Sequence, residues 1–242
     1  MTALRSLMFF MAAMVWTLGL MVAYLPLFLL PRKALQRAAR VWIRGLLGML
    51  AVICGLRHGI KGREHVPAGG AVFASKHQSA WDTLIFHFLL DDPVFVLKGE
   101  LFQVPLLGWY MKKSGAIGID RSAGFRAIKM MMPEVDRAIA QGSQVIVFPE
   151  GTRTAPGAHR PYHPGVAGIY IHTDAPLIPV ALNSGLFWGR RSFLKYPGEI
   201  TLEFLPPIPA GLDRKTFIKE LESRIETASQ RLCEPSEYRA AD

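Results

Sequence analysis

Residues 71–83 read AVFASKHQSAWDT, and this stretch decides the fold of the chain. Its first five residues are small or apolar and predict a short buried strand, while the apolar-rich segment after Trp81 has the length and spacing of a helix. His77 is therefore expected at the carboxyl end of a strand, with Asp82 about one turn into the next helix. Ligands usually bind at this edge of an open α/β sheet.

The spacing of His77 and Asp82 suits a pair of side chains that moves a proton. A carboxylate five residues after a histidine can curl back to hold one ring nitrogen and leave the other free, which is the arrangement needed to take a proton from a hydroxyl. A second interpretation is that His77 caps the helix and that Asp82 is a first-turn acid suited to the helix dipole. The stretch by itself leaves both interpretations open.

Short strands and helices alternate along the chain from His58 onward. Alternation of this kind predicts an α/β fold with a largely parallel central sheet flanked by helices. Strands are predicted near residues 58–62, 71–75, 93–97, 115–119, 144–148, 177–182 and 199–205. Helices are predicted near residues 79–90, 101–112, 123–141, 165–173 and 213–233. We therefore assign residues 58–242 to one α/β domain.

Residues 1–57 are predicted to form a membrane-anchoring segment of two helices. The run from Ser6 to Leu30 carries no charge and exceeds the roughly 20 residues needed to cross a bilayer as a helix, although Pro26 is expected to kink or end it. The second helix, near residues 34–56, places Arg37, Arg40 and Arg44 on one face, which predicts an interfacial helix lying against the first. A secretory signal is disfavoured because the apolar run is too long and no A-x-A site follows.

The distribution of charge favours a membrane lipid surface over nucleic acid as the partner. The net charge is +9, but residues 1–64 hold nine Lys or Arg against one acid, and the remainder is almost neutral. Basic residues next to apolar helices favour anionic headgroups, and their bias to residues 32–44 predicts that this connection lies on the cytoplasmic side. Cys54 and Cys233 have neither metal-ligand nor CxxC spacing, which fits a reducing, cytosolic setting.

Charged residues also follow three other predicted strands. These strands end at the same edge of the sheet as the strand before His77. They are Lys98, the pair Asp120 and Arg121, and the turn Glu150–Arg153. Arginine grips phosphate through paired planar donors, and Gly151 would let backbone N–H groups approach an anion. The pocket is therefore expected to take a phosphate monoester that bears a hydroxyl. The alternative is that Arg121 and Arg153 form structural ion pairs with Asp120 or Glu150.

The sequence offers no pattern for a tightly bound cofactor. It contains neither a Walker loop nor a dinucleotide fingerprint, and no Asp/Glu cluster suggests a metal. Ser75 and Ser79 lie near His77, but no G-x-S-x-G turn surrounds either, so a serine nucleophile is disfavoured. Trp81 and the apolar run 101–111 either line an apolar groove or, for most of their side chains, pack in the core.

Four motifs in order resemble the glycerolipid acyltransferase family, and most of all its bacterial 1-acylglycerol-3-phosphate (lysophosphatidate) acyltransferases. They are H-x-x-x-x-D at His77–Asp82, G-x-I-x-I-D-R at Gly115–Arg121, F-P-E-G-T-R at Phe148–Arg153 and L-I-P-V at Leu177–Val180. The likeness covers about residues 58–210, and the family also has a two-helix membrane motif before this region. Three places depart from the family pattern: Lys76 stands where asparagine is common, Gly118 replaces a bulky apolar residue, and Tyr162–Gly165 replaces a more basic stretch.

The resemblance implies a set of roles. His77 and Asp82 would be the catalytic dyad, and the glycerol phosphate would bind to Lys98, Arg121, Glu150, Gly151, Thr152 and Arg153. The reaction would be direct transfer of an acyl chain from acyl-CoA or an acyl carrier protein, as co-substrate, to the free hydroxyl of lysophosphatidate. No acyl-enzyme, metal or further cofactor is implied. The enzyme would work at the inner membrane, with its active domain on the cytoplasmic face.

Other functions remain open from the sequence. A close variant changes only the acceptor, to glycerol 3-phosphate, another lysophospholipid or a lyso-aminolipid. A membrane phospholipid hydrolase would use the same dyad to activate water, and a non-catalytic lipid-binding protein would use the pocket only to hold headgroups. The chain-length preference, the depth of the first helix and the oligomeric state are not determined by the sequence.

Overall fold

The computed structural model describes residues 1–120 and 124–234, without the side chain of residue 125. The strands of the described part are β1 (Leu56–Lys61), β2 (Ala71–Ser75), β3 (Pro93–Lys98), β4 (Ile117–Ile119), β5 (Gln144–Val147), β6 (Leu177–Leu182) and β7 (Gly198–Phe204). The α-helices are α1 (Thr2–Ala23), α2 (Arg32–Met49), α3 (Trp81–Leu89), α4 (Leu107–Lys113), α5 (Gly124–Ala140), α6 (Gly165–His172) and α7 (Arg214–Cys233).

The strands form one sheet in the order β1-β7-β6-β2-β5-β3-β4. Neighbours are parallel except for β6 and β7, which are antiparallel. The prediction of a largely parallel sheet flanked by helices is therefore confirmed. β2 lies between β5 and β6, so the residues after Ser75 emerge at the middle of the carboxyl edge, beside the end of β5.

The two faces of the sheet are covered because the central strands are apolar on both sides. Along β2, Ala71 and Phe73 pack into the core on the face covered by α1, α2 and α3. Val72 and Ala74 point to the other face and pack into the core formed with α5, α6 and α7. Each fully buried large apolar side chain contributes about 1.5–3 kcal/mol, so β2 is held rigidly from both sides.

The two N-terminal helices pack on each other, as predicted, and they also pack on the sheet. The indole N–H of Trp16 donates to the carbonyl of Trp42 at 3.0 Å, and the Trp42 indole donates to Thr17 Oγ1 at 2.9 Å. α1 ends at Ala23, before a 3-10 turn over Leu25–Leu29 that contains Pro26, so the proline does end the helix early. α1 is the one helix of the described ranges that is long and apolar enough to cross a membrane, judged by length and composition.

Two predicted elements differ from the structure. The second helix stops at Met49 and continues as a π-helical turn over Leu50–Cys54, which Gly55 closes with a φ of 68°. The helix expected over residues 101–112 is broken into a 3-10 turn, Gly99–Gln103, and the short α4. Pro105 explains the break, because a proline disfavours helical backbone in the residue before it. The division of the chain at residue 57 stays a prediction, and β1 begins at Leu56.

Candidate active site

His77 and Asp82 come together at the carboxyl edge of β2. The strand ends at Ser75, His77 lies in the loop that follows, and Asp82 is the second residue of α3. His77 Nδ1 lies 3.0 Å from Asp82 Oδ2, and Asp82 is completely buried. The local spacing of five residues thus brings the ring and the carboxylate into a hydrogen bond, as the sequence predicted.

Three more donors converge on the Asp82 carboxylate. The backbone N–H groups of Gln78 and Ser79 donate to Oδ2 at 2.6 and 2.8 Å, and the Ser184 hydroxyl donates to Oδ1 at 2.5 Å. An aspartate surrounded by donors acts as an acceptor. His77 Nδ1 therefore carries the proton of this hydrogen bond, which leaves the lone pair on Nε2. Among the described residues, Nε2 has no hydrogen-bond partner.

The His77 ring is also fixed by packing. Phe148 stacks on it with the ring centroids 4.0 Å apart and the planes 21° from parallel. Phe148 follows directly after β5, so the two rings come from neighbouring parallel strands. The His77 carbonyl accepts from the N–H of Thr154 at 2.8 Å, which ties the loop to the turn after β5. Ring and backbone are held together, so the free Nε2 has a defined direction.

A buried ionic cluster contacts the backbone of His77 through a hydrogen bond. Lys76 Nζ, only 2% exposed, lies 2.8 Å from Glu150 Oε1 and 2.8 Å from both carboxylate oxygens of Glu226 on α7. The second oxygen of Glu150 accepts from the N–H of His77 at 3.0 Å. The Tyr162 hydroxyl donates to Glu226 at 2.8 Å. We call Lys76, Glu150, Glu226 and Tyr162 the buried ionic cluster.

The cluster explains the two departures from the family pattern at residues 76 and 162. Lys76 and Tyr162 both contact Glu226, so the unusual lysine and the unusual tyrosine share one partner. Burial raises the pKa of Tyr162 well above its usual range, and the nearby carboxylate of Glu226 raises it further. Tyr162 therefore stays a neutral donor at physiological pH, and the cluster holds one cation against two carboxylates.

The residues of the third motif take different positions. Glu150 is buried in the ionic cluster, where it pairs with Lys76 and not with Arg153. Gly151 has a φ of 68°, which favours glycine, and its N–H donates to the carbonyl of Phe148 at 2.9 Å. Thr152 and Arg153 are partly exposed, and Arg153 makes no ion pair with any described residue. The third motif thus combines a buried carboxylate with an arginine that has no acidic partner in the described part of the chain.

The other predicted phosphate contacts are less closely defined. Lys98 ends β3 and pairs with Glu100 at 2.8 Å, with the two side chains 56% and 61% exposed. Arg121 lies outside the described residues. Asp120 is exposed and described, one residue after β4. The proposed roles of these residues in binding substrate stay predictions.

Phe148, which stacks on His77, is also one of the residues that line an open cavity of about 360 Å³. Its walls are largely apolar and come from β4, β5, α5 and α6, with Ile128, Met131 and Val166 among them, while His163 and Arg214 supply polar groups. Gly165 lines it, and a Cβ built there would contact only Ile128, at 4.0 Å. The cavity is thus suited to an apolar chain that begins close to the His77 ring.

The structure also places the serines near His77 and the apolar residues for which the sequence left two roles open. The hydroxyls of Ser75 and Ser79 are fully buried and hydrogen-bonded locally, to the Lys76 carbonyl and to the Trp81 N–H, so neither is placed as a nucleophile. Trp81 is buried in the core, as expected. The apolar run that begins at Leu101 is not, because much of it is exposed.

Sequence reasoning missed Ser184, Glu226 and the stacking of Phe148. Ser184 is 102 residues from Asp82, and Glu226 is 150 residues from Lys76. The one available signal was the lysine directly before His77, because a buried lysine requires an acidic partner.

The chain thus combines a mostly parallel α/β sheet with an oriented histidine at its carboxyl edge and a nearby apolar cavity. This combination suits an enzyme that transfers an apolar group to a hydroxyl. Residues 57–183 match the family model described as Acyltransferase. The chain is 32% identical over 230 residues to the 1-acyl-sn-glycerol-3-phosphate acyltransferase of Pseudomonas aeruginosa, covering 93% of this chain and 88% of that protein. This chain belongs to the acyltransferase family and is an acyltransferase.

More distant similarity extends to eukaryotes and to a solved structure. The human 1-acyl-sn-glycerol-3-phosphate acyltransferase alpha is 29% identical over 170 residues, which cover 69% of this chain and 60% of the human protein. The crystal structure of the 1-acyl-sn-glycerophosphate (LPA) acyltransferase PlsC from Thermotoga maritima has the same fold, with a TM-score of 0.77 and 20% identity over 96% of this chain and 95% of that one.

Proposed function

We propose that this chain transfers an acyl chain from an acyl thioester to the free hydroxyl of lysophosphatidate, which gives phosphatidate. The observation that carries the proposal is the His77–Asp82 hydrogen bond of 3.0 Å with Nε2 left free. The acceptor is inferred from the bacterial relative named above, which matches this chain over nearly its whole length.

The proposed proton transfers use the two nitrogens of the His77 imidazole. His77 Nε2 takes the proton of the acceptor hydroxyl while the oxygen attacks the thioester carbonyl carbon. The C–S bond then breaks, and the proton passes from Nε2 to the departing thiolate, so His77 returns to its starting state. Asp82 stays a carboxylate throughout and stabilises the imidazolium that forms. A general base of this kind supplies about 10²–10⁴-fold, and no acyl-enzyme is required.

Binding of the two substrates has to supply much of the remaining rate enhancement. We place the acceptor phosphate near Arg153, because this arginine has no acidic partner among the described residues and lies five residues after Phe148, whose ring stacks on His77. Lys98, Arg121 and Thr152 are proposed as further contacts, and Gly151 as the turn that shapes the site. An acyl chain would occupy the apolar cavity beside Phe148.

The attachment to the membrane is proposed from the contacts of α1. Ser6 Oγ accepts from the N–H of Lys195 at 2.9 Å, and the carbonyl of Met21 accepts from the Tyr110 hydroxyl at 2.6 Å. These contacts are roughly 22 Å apart along the helix, so one side of α1 rests on the domain. The opposite side is a stripe of exposed apolar residues, including Leu4, Met11 and Leu18. We infer that α1 lies in one leaflet of the inner membrane, on the cytoplasmic side.

The experiment measures transfer from radiolabelled acyl-CoA and acyl carrier protein to lysophosphatidate in detergent micelles, using the full chain and His77→Ala. His172→Ala is the matched control, because His172 is an exposed histidine that also pairs with an aspartate. Phosphatidate that forms with the unmodified chain and with the control, and not with His77→Ala, is the expected result.

Other outcomes assign other functions. Transfer only to glycerol 3-phosphate, to another lysophospholipid or to a lyso-aminolipid would keep the dyad and replace the acceptor. Release of free fatty acid without an acceptor would indicate a hydrolase. Equal activity of the full chain and His77→Ala would overturn the role of the dyad.

A further inference from the structure

The segment between Leu101 and Trp109 exposes an unusual amount of apolar surface. Leu101, Val104, Leu106, Leu107 and Trp109 are between 38% and 56% exposed. Single exposed apolar side chains are common on soluble proteins, but contiguous ones within nine residues mark a contact surface. We call residues 101–109 the apolar loop.

The apolar loop has a defined shape rather than being an extended tail. Leu106 has a φ of 61°, which is strained for a leucine, and Pro105 precedes it. A Cβ at Gly108 would lie 2.2 Å from the carbonyl oxygen of Phe102, so the loop folds back tightly on itself. The backbone therefore holds apolar side chains outward at a conformational cost, which points to a function for their exposure.

The residues that follow the apolar loop contact the N-terminal segment. Tyr110, the next residue, donates its hydroxyl to the carbonyl of Met21 at the end of α1, and its ring packs against Phe28 at a centroid distance of 4.8 Å. Lys113 Nζ donates to the carbonyl of Phe28 at 3.0 Å. The segment directly after the apolar loop thus contacts the end of α1 and the 3-10 turn that follows it.

The composition of this region matches a lipid–water boundary. A tryptophan, Trp109, is exposed among aliphatic side chains, and Lys112 and Lys113 follow it. Tryptophan prefers the membrane interface, and lysines beside it favour anionic headgroups. A second copy of the chain is a less suitable partner for this surface. A symmetric contact would bring Lys112 and Lys113 of one copy close to the same two lysines of the other copy, and like charges repel.

We propose that the apolar loop inserts into the same lipid leaflet as α1. This inference deepens the proposed function and rests on it for its consequence. The loop begins three residues after Lys98, which ends β3 at the edge of the sheet that also carries His77. Its insertion holds the catalytic edge against the bilayer, so that a lysophospholipid can reach His77 from the leaflet without leaving it for water.

The first test compares two double variants of the full chain that change the net charge equally. Leu107→Glu/Trp109→Glu places two carboxylates in the apolar loop. Met130→Glu/Ile171→Glu is the control, because these side chains are 67% and 57% exposed on α5 and α6, on the other face of the sheet. Each purified variant is sedimented with sucrose-loaded vesicles of phosphatidylcholine and phosphatidylglycerol. We expect the loop variant to partition about tenfold or more weakly than the control.

The second test needs no disruptive substitution. Fluorescence quenching by lipids brominated along the acyl chain is measured for the unmodified chain and for Trp109→Phe. The difference isolates Trp109 from the four other tryptophans, and we expect it to be quenched on vesicles.

The outcomes separate this proposal from the proposed function. Equal partition of the two double variants, or no quenching that depends on Trp109, would overturn insertion. A loop variant that binds vesicles normally but converts a dimer to a monomer in light scattering would assign the surface to a second copy. Partition and quenching require no turnover, so they decide the proposal even if no acyl transfer to lysophosphatidate is found. Where transfer is found, the loop variant should lose activity on vesicles and keep it with a short-chain, water-soluble acceptor.

Discussion

Lys76→Met removes the only cation of the buried ionic cluster while keeping a side chain of similar length. The ammonium of Lys76 lies 2.8 Å from Glu150 and from both oxygens of Glu226. Without the ammonium, the fully buried Glu150 carboxylate keeps its hydrogen bond from the backbone N–H of His77, at 3.0 Å. The substitution therefore leaves a buried and poorly compensated carboxylate next to the loop that holds His77.

The size of the effect follows from Coulomb's law and the cost of burial. At an effective dielectric constant of about 20, two unit charges 2.8 Å apart attract by about 6 kcal/mol. Desolvation of the buried ions offsets most of this, but removing one partner leaves the other unpaired and costs about 3–5 kcal/mol. Glu226 is 26% exposed and contributes less, because water screens it. We expect Lys76→Met to lower the free energy of unfolding by about 3–5 kcal/mol.

The measurement is urea unfolding of the full chain in detergent micelles, followed by tryptophan fluorescence. Lys98→Met is the matched control, since Lys98 and Glu100 are also 2.8 Å apart but lie in water. We expect no measurable loss there, because exposed ion pairs contribute little. The neutral triple variant Lys76→Met/Glu150→Gln/Glu226→Gln should recover most of the loss, since it removes the buried charges together.

Two results would refute this reasoning. A Lys76→Met variant as stable as Lys98→Met would mean that the cluster is not buried in solution. A triple variant no more stable than Lys76→Met would mean that the loss comes from the lysine chain itself and not from uncompensated carboxylates.

Three further predictions test the site and its surroundings. Ser184→Ala removes one of the donors to Asp82, so kcat should fall on the order of tenfold with KM unchanged; a rise in KM alone would instead indicate contact with substrate. Gly165→Leu fills the open space beside Ile128, so kcat/KM for long acyl thioesters should fall more than for short ones, with Gly165→Ala as the control; an equal fall would move the acyl chain elsewhere. Burial lowers the pKa of His87 to about 4, below its unfolded value of about 6.5, so the unfolded chain takes up this proton first. Stability should therefore fall by about 3 kcal/mol as the pH drops from about 6.5 to about 4, and His87→Leu should remove that part of the slope in urea titrations at each pH; an unchanged slope would show that His87 is not buried as a neutral ring.

Much of the fold was predictable because it is encoded locally. Each strand near the predicted ranges is present, since short apolar runs separated by helical periodicity leave few alternatives. The end of α1 near Pro26 was predictable for the same reason, because a proline acts on the helix in which it stands. The broken helix after Lys98 was not, although Pro105 was visible, because the apolar run around it also suited a continuous helix.

The contact between His77 and Asp82 was predictable for the same reason, while the chemical roles of the two residues stay predictions. His77 and Asp82 are five residues apart, so one strand end and one helix start suffice to bring them together. Glu150 lies at the expected edge, its predicted contact with the substrate stays a prediction, and its pairing with Lys76 was not visible from the sequence. Its partner Lys76 is satisfied by two carboxylates, one of which arrives from 150 residues away.

The sequence by itself determined the alternation of strands and helices, the edge at which the charged residues collect, and the histidine–aspartate pair, because each depends on neighbours within a few residues. The tertiary structure decided which distant groups complete the site. Ser184 reaches Asp82 only because β6 lies beside β2, and Glu226 reaches Lys76 only because α7 covers that face of the sheet. It also decided that residues 101–109 lie on the surface, since apolar side chains have no fixed partner until the whole chain is folded.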